Sequence, residues 1–165
     1  MPDFKFFAVN YGVLNYLDPD KFINPEYHKS FLNDIEAEIH RNSKAPFARN
    51  FQENYEGGQL PIYALVEVFS FGTLSKSYKN MKNADKNIVA KSFAVGYTYL
   101  ESWVGSIVSD RNIYAHYRRL YNVKLSKTPI LYKEYSKAGI RNNRMLGVLL
   151  CLRHLLMNDR HCGKG

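Results

Sequence analysis

The residues best suited to chemistry lie in one stretch, 109–122, which concentrates cations, amides, aromatic rings and a histidine. Arg111, Asn112 and His116 stand within it. Histidine titrates near neutral pH and can accept or donate a proton, and arginine matches phosphate oxygens with a planar fork of N–H groups. The chain offers no zinc-ligand spacing, nucleophile elbow, paired-carboxylate motif or glycine-rich nucleotide loop as a competing centre. The stretch therefore favours metal-free cleavage of RNA, in which the substrate supplies its own 2′-hydroxyl nucleophile.

Helical spacing within this stretch predicts that one copy of the chain holds only half of the site. Asn112 and His116 are four residues apart and share a helix face, so the amide can orient the imidazole. Arg111 is five residues from His116, which is about 140° around the helix axis. A two-fold dimer would place two arginines and two histidines in one cleft. We therefore predict a homodimer with a composite site.

Two other functions fit the same residues. A histidine in a helix beside arginine and tyrosine is more often structural than catalytic. The chain could instead be a non-catalytic RNA-binding or regulatory module, in which a positive cleft holds RNA without cutting it. It could also be a structural dimerisation domain, in which Arg111 and His116 only hold helices together.

The distribution of charge predicts a polyanionic partner. Residues 1–75 contain 6 Lys/Arg and 10 Asp/Glu, whereas residues 76–165 contain 17 Lys/Arg and 5 Asp/Glu. A basic half of this kind is typical of RNA-binding proteins, although many small basic proteins bind no polyanion. The residues expected to contact RNA are Lys76, Lys79, Lys82, Arg118 and Arg119. The lysine run could equally be an ordinary solvated face.

Apolar periodicity predicts an all-α protein, a bundle of about five to seven helices. The 165 residues, 45% hydrophobic, suit one domain with a real core. Asn24-Pro25-Glu26 is a good helix start, and Tyr27, Phe31, Ile35 and Ile39 follow at four-residue steps. We expect an irregular aromatic arm over residues 1–20, a helical domain over 21–158 and a flexible tail over 159–165. The arm could pack on its own domain, or mark where a longer chain has been truncated.

Further helices are predicted over 46–55, 62–71, 84–95, 98–117 and 144–157, with a looser basic region at 123–143. Gly72 and Thr73 are expected to end one helix and cap the next. Glu67 lies in a helix that is apolar nearly all round, where a carboxylate is expensive to bury alone. It could face solvent, pair with a surface lysine, or meet an arginine at the site.

No stretch of the sequence predicts a signal peptide or a membrane span, and the longest apolar run carries Arg153 and His154. Cys151 and Cys162 form no disulfide framework and match no zinc pattern. Reduced cysteines are consistent with the cytoplasm. We expect no membrane, metal or cofactor.

Arg111-Asn112, three residues and then His116 resemble the arginine–histidine motif of HEPN-domain ribonucleases. The wider order of Glu67 to Ser75, Ser102-Trp103 and Arg111 to Asn122 resembles the Abi-like proteins, of the AbiD/AbiF abortive infection type. The resemblance runs from about Tyr16 to Leu156. Members are usually longer, with a helical region before this part, so the chain is either a short variant or a piece.

The resemblance implies a HEPN-like bundle that dimerises to form its site, with metal-independent endoribonuclease activity in bacterial phage defence. It implies that Arg111 binds the scissile phosphate, Asn112 orients the site and His116 transfers protons. Glu67, Ser70, Arg118 and Asn122 fall in the matching blocks and are expected to support the site. The resemblance also suggests an RNA or protein antitoxin as a partner.

Overall fold

The computed structural model describes residues 12–42, 60–115 and 124–159, and this part of the chain is helical. Within it there are seven α-helices and no strands, which confirms the all-α prediction and the expected number of helices. One isolated bridge joins Phe22 to Met81. The helices are α1 (Pro25–Arg41), α2 (Ile62–Val68), α3 (Phe71–Asn80), α4 (Asn83–Ser92), α5 (Tyr97–Ala115), α6 (Lys133–Lys137) and α7 (Met145–Asp159). Two short 3₁₀ helices, Asn15–Leu17 and Pro19–Lys21, precede α1.

The chain divides into two compact units, Met1–Lys82 and Asn83–Gly165. The first contains α1 to α3, and the second contains α4 to α7. The predicted helical domain over 21–158 includes most of both units and stays a prediction. The expected helix over 46–55 lies outside the described residues.

Helix α1 begins where the sequence predicts. The Asn24 carboxamide oxygen accepts the backbone N–H groups of Glu26 at 2.9 Å and Tyr27 at 3.1 Å, and Pro25 occupies the first helical position. Phe31 and Ile35 are buried as expected, but Tyr27 is 58% exposed. His28 takes its place because its ring stacks on Phe22 at 4.5 Å and its Nε2 lies 2.8 Å from the Tyr16 carbonyl oxygen.

The core of the first unit combines α1 and α2 with the segment before α1. The buried cluster includes Tyr16, Phe22, Phe31, Ile35 and Leu65. The Tyr16 hydroxyl donates to the Leu60 carbonyl oxygen at 2.8 Å, which joins the segment before α1 to the start of α2. Because the Tyr16 hydroxyl is buried with a partner, the ring contributes apolar area without an unsatisfied polar group.

The predicted helix over 62–71 ends early, at Val68. Phe69 and Ser70 adopt extended backbone angles, and the Ser70 hydroxyl oxygen accepts the backbone N–H of Thr73 at 3.1 Å. Ser70 is therefore the N-cap of α3, and Gly72 lies inside that helix. The expectation that Gly72 ends one helix and Thr73 caps the next is wrong, because Ser70, three residues before Thr73, caps the helix by accepting the free Thr73 backbone amide.

Trp103 lies at the centre of the second unit and is 0% exposed. The Tyr132 ring lies at 5.4 Å and the His154 ring also at 5.4 Å, so α5, α7 and the residue before α6 meet around the indole. The Lys86 ammonium, itself buried, donates to Glu101 at 2.7 Å and connects α4 to α5. The predicted loose region at 123–143 contains the short helix α6.

Burial raises the pKa of the Cys151 thiol to about 11, which favours the neutral thiol at neutral pH. The chain's other cysteine, Cys162, lies outside the described residues. Within residues 12–42, 60–115 and 124–159, no helix is both long and apolar enough to cross a membrane.

Candidate functional site

Helix α5 positions the arginine–asparagine pair through the face that it buries. Its buried stripe, spaced by three or four residues, contains Leu100, Trp103, Ser106 and Asp110. Successive side chains are rotated by about 100° around the helix axis, so the two side chains after Asp110 point away from the core. Arg111 and Asn112 are accordingly exposed.

The two exposed residues contact each other. Arg111 Nη1 lies 3.3 Å from the Asn112 side-chain oxygen, a long and therefore weak hydrogen bond. The guanidinium has four more N–H groups, and these have no hydrogen-bond partner among the described residues and could bind a phosphate. The sequence predicts that the Asn112 side chain orients the His116 ring, and the structure shows that the Asn112 carboxamide contacts Arg111.

His116, Arg118, Arg119 and Asn122 lie outside the described residues. The common face of Asn112 and His116 and the contribution of the two further arginines stay predictions.

The predicted supporting residues of the first unit have different surroundings. Glu67 is exposed on α2, in agreement with the alternative that its side chain faces solvent. The Ser70 hydroxyl caps α3 and lies 2.8 Å from the Thr73 hydroxyl, so it has a structural task. Lys76 donates to Asp34 at 2.6 Å. Lys79 and Lys82 are exposed and have no ion pair among the described residues.

Sequence reasoning missed Asp110, the residue before Arg111. Asp110 is 3% exposed, and neither carboxyl oxygen has a hydrogen-bond partner among the described residues. Burial raises the pKa of this carboxyl above its ordinary value of 3.8. Its place on the stripe with Trp103 and Ser106 was the signal that could have identified it.

A cavity of about 720 Å³ in the second unit was also missed. Two segments, 128–131 and 140–143, form most of its wall. Residues 124–144 contain six Lys/Arg and a single Asp/Glu, which was the available signal. The sequence pattern predicts only a loose and basic region here.

A family model described as Abi-like protein matches residues 4–122. The matched part contains Glu67, the lysines of α3 and the whole stretch from Arg111 to Asn122, and it ends before the cavity. No match was found among curated proteins or among solved structures.

Proposed function

Because the chain belongs to the Abi-like protein family, we propose that it is a HEPN-type endoribonuclease that acts in abortive infection, a form of phage defence. The observation that carries the proposal is the exposed pair of Arg111 and Asn112 at the end of a helix whose opposite face is firmly buried. His116 follows at the spacing of the ribonuclease motif, inside the matched part of the chain.

Arg111 binds the phosphate at which RNA is cut. Its guanidinium is always protonated and can donate two parallel N–H groups to phosphate oxygens. The charge on these oxygens increases as the 2′-oxygen attacks phosphorus, so the arginine stabilises the transition state more than the substrate. The weak bond to Asn112 limits the directions that the side chain can take and is easily exchanged for a stronger bond to phosphate.

His116 moves the protons of the reaction. A neutral imidazole accepts the 2′-hydroxyl proton while a bond forms between the 2′-oxygen and phosphorus. The bond from phosphorus to the 5′-oxygen breaks, and an imidazolium returns a proton to the departing oxygen. The products are a 2′,3′-cyclic phosphate and a 5′-hydroxyl end, and no water is consumed. General acid–base catalysis of this kind contributes about 10²–10⁴ to the rate.

A second copy of the chain supplies the groups that complete the cleft. The imidazole that accepts a proton and the imidazolium that donates one are two separate groups in a single turnover. Two-fold symmetry provides both, together with a second arginine. In the first unit, the exposed lysines Lys79 and Lys82 supply positive charge that can bind the RNA backbone.

The test is cleavage of single-stranded RNA in EDTA by the wild type and by matched alanine variants. His116→Ala is compared with His40→Ala, an exposed histidine on α1, and Arg111→Ala with Arg153→Ala, an exposed arginine on α7. We expect losses of at least about 10²-fold for the first member of each pair and wild-type rates for the second.

Equal rates for His116→Ala and His40→Ala would reject the catalytic role. Salt-sensitive RNA binding without cleavage by any variant or by the wild type would favour the non-catalytic RNA-binding alternative. Lower thermal stability with unchanged RNA affinity in Arg111→Ala would favour the structural alternative.

A further inference from the structure

The cavity of the second unit has the size and lining of a ligand site. Its volume of about 720 Å³ falls within the range of sites for small molecules and cofactors. The residues that line it include one with a guanidinium (Arg141), two with carboxamides (Asn142 and Asn143), two with hydroxyls (Thr128 and Ser136) and apolar residues such as Ile140. Within the part of the chain that the structure describes, no acidic residue lines it. These groups suit a ligand that is anionic at one end and hydrogen-bonding at the other.

We infer that this cavity binds a nucleoside phosphate, with Arg141 on the phosphate and the carboxamides of Asn142 and Asn143 on the base. The nucleoside phosphate could be one nucleotide of an RNA chain or a free mononucleotide, and both present the same chemistry. RNA as a source of the bound nucleotide rests on the proposed function. Binding itself requires no cleavage.

The charges around the cavity favour the phosphate. Lys124, Lys127, Lys133, Lys137 and Arg141 are exposed and have no ion pair among the described residues. Glu134 is the only acidic residue between 124 and 144. Such a surface attracts anions, and only Arg141 among these five side chains lines the cavity. Arg141 can therefore contribute directional hydrogen bonds, and the four lysines a diffuse field.

The Asn143 carboxamide favours a base. Its side-chain oxygen is buried and has no hydrogen-bond partner among the described residues. A buried acceptor without a partner is costly, so a rotation of the carboxamide that turns this oxygen into the cavity, toward an N–H group of a ligand, would recover the lost hydrogen bond. The exocyclic amino groups and ring N–H groups of nucleobases are donors of this kind. A carboxamide beside a second carboxamide, that of Asn142, can read donor and acceptor positions on one base edge.

The two walls of the cavity are fixed to different helices. On one side, the Ile130 carbonyl oxygen accepts the Trp103 indole N–H at 2.6 Å, and the Ile130 N–H donates to the Ser102 hydroxyl at 2.9 Å. On the other side, residues 141 and 142 lie against the first turn of α7. A Cβ atom on Gly147 would lie only 3.0 Å from the Arg141 carbonyl oxygen. The site is therefore largely formed before a ligand binds, which lowers the entropic cost of binding.

Helix α5 holds one wall of the cavity through Ser102 and Trp103, and it also contains Arg111, the arginine of the proposed catalytic site. Ser102 is nine residues before Arg111, which is about 13.5 Å along the axis of α5. The Lys127 side chain lies over Gly105 of that helix, between the two positions. An RNA strand cut near Arg111 could therefore extend past Lys127 and place a neighbouring nucleotide in the cavity.

The experiment measures binding to the full chain in a His116→Ala background, so that RNA stays intact whether or not the wild type cuts it. The probes are AMP, CMP, GMP and UMP, with adenosine and inorganic phosphate as partial ligands, and a single-stranded oligoribonucleotide. Affinity is measured by calorimetry, and the location by shifts of the Arg141 and Asn143 side-chain N–H resonances in ¹⁵N NMR spectra.

Arg141→Ala is compared with Lys137→Ala, which removes the same charge from an exposed position outside the cavity lining. We expect Arg141→Ala to weaken mononucleotide binding about 10- to 100-fold, since a hydrogen bond to a charged group is lost. Lys137→Ala should weaken it no more than about twofold. Asn143→Ala should reduce the preference among the four bases.

The source of the nucleotide follows from competition. Displacement of AMP by the oligonucleotide, or oligonucleotide binding with the same loss in Arg141→Ala, supports RNA as the ligand. Binding of AMP that the oligonucleotide does not displace supports a free mononucleotide. Unchanged Arg141 and Asn143 resonances with every probe, or equal losses in Arg141→Ala and Lys137→Ala, would overturn the inference. Neither result would bear on cleavage by Arg111 and His116, which the EDTA assay measures separately.

Discussion

The Trp103 indole donates its N–H to the Ile130 carbonyl oxygen at 2.6 Å, across 27 residues of sequence. Trp103 is fully buried, whereas the Ile130 side chain is 48% exposed. The backbone of an exposed segment is thus held by the core of the second unit. Ser102, one residue earlier on α5, accepts the N–H of the same isoleucine at 2.9 Å. Both backbone groups of Ile130 are therefore fixed by adjacent residues of α5.

Loss of either bond should destabilise the second unit and loosen the cavity wall. Ser102→Ala should lower the free energy of unfolding by about 0.5–1.5 kcal/mol, since one hydrogen bond is lost. Trp103→Phe should lower it by about 2–4 kcal/mol, because the hydrogen bond to the Ile130 carbonyl is lost and the smaller ring leaves a cavity in the core. Chemical denaturation measures both changes. Ser126→Ala, an exposed serine in the same unit, is the control and should change stability by less than about 0.5 kcal/mol.

Asp110→Asn should stabilise the protein at neutral pH. The Asp110 carboxyl is buried and has no hydrogen-bond partner among the described residues, so its pKa is higher in the folded chain than in the unfolded chain, where it is close to 3.8. The folded state then binds more protons, and stability decreases as the pH rises from about 3.8 to the folded pKa. Above that pKa the penalty is constant. Asparagine has no such transition, because it carries no charge.

The measurement is the melting temperature of wild type and Asp110→Asn between pH 3 and pH 8. The advantage of the variant should be small at pH 3 and should reach its full value above the folded pKa. Asp20→Asn, at an exposed aspartate, controls for the general effect of removing a negative charge. An advantage independent of pH would show that the Asp110 carboxyl does not carry the desolvation penalty.

The elements that depend on local chemistry could be predicted from the sequence. The start of α1 follows from Asn24 and Pro25, because the cap and the fixed proline angle act within four residues. The burial of Leu100 and Trp103 follows from helical spacing alone. The exposure of Arg111 is a consequence of the same spacing, since it follows the last buried residue of the stripe.

Features that depend on contacts distant in sequence could not be predicted. His28 replaces Tyr27 in the core because Phe22 and the Tyr16 carbonyl meet it there. The cavity depends on the bonds from Ser102 and Trp103 to Ile130, and no local pattern in 123–143 indicates them.

The lysines of the first unit should contribute unequally to RNA binding. The Lys76 ammonium is already paired with Asp34, whereas Lys79 and Lys82 are exposed without an ion pair among the described residues. Lys79→Ala should therefore reduce the slope of log affinity against log salt by about 0.7, the value for one phosphate contact on a single strand. Lys76→Ala should change the slope less. Filter binding between 50 and 300 mM salt, on the order of the range in which such contacts weaken, gives both slopes.

Asp34→Asn is the matched test of this explanation. It releases the Lys76 ammonium and should increase both the affinity for RNA and the salt slope, while Asp20→Asn should increase neither slope nor affinity to the same extent. Equal slopes for Lys76→Ala and Lys79→Ala would contradict the argument from the ion pair.

A mixture of Arg111→Ala and His116→Ala should recover RNA cleavage that neither variant shows alone. In a two-fold dimer of one copy of each, the cleft retains an arginine from one copy and a histidine from the other. Recovery should be partial, because the mixed cleft has one histidine where the proposed reaction uses two, and because such a mixture also contains dimers of each parent variant. The measurement is the cleavage rate of the mixture after denaturation and joint refolding, with each variant treated alone as its own control. A site confined to one copy predicts no recovery. Arg153→Ala mixed with His116→Ala should cleave through the wild-type clefts of the Arg153→Ala dimers, so it gives the upper limit for the comparison.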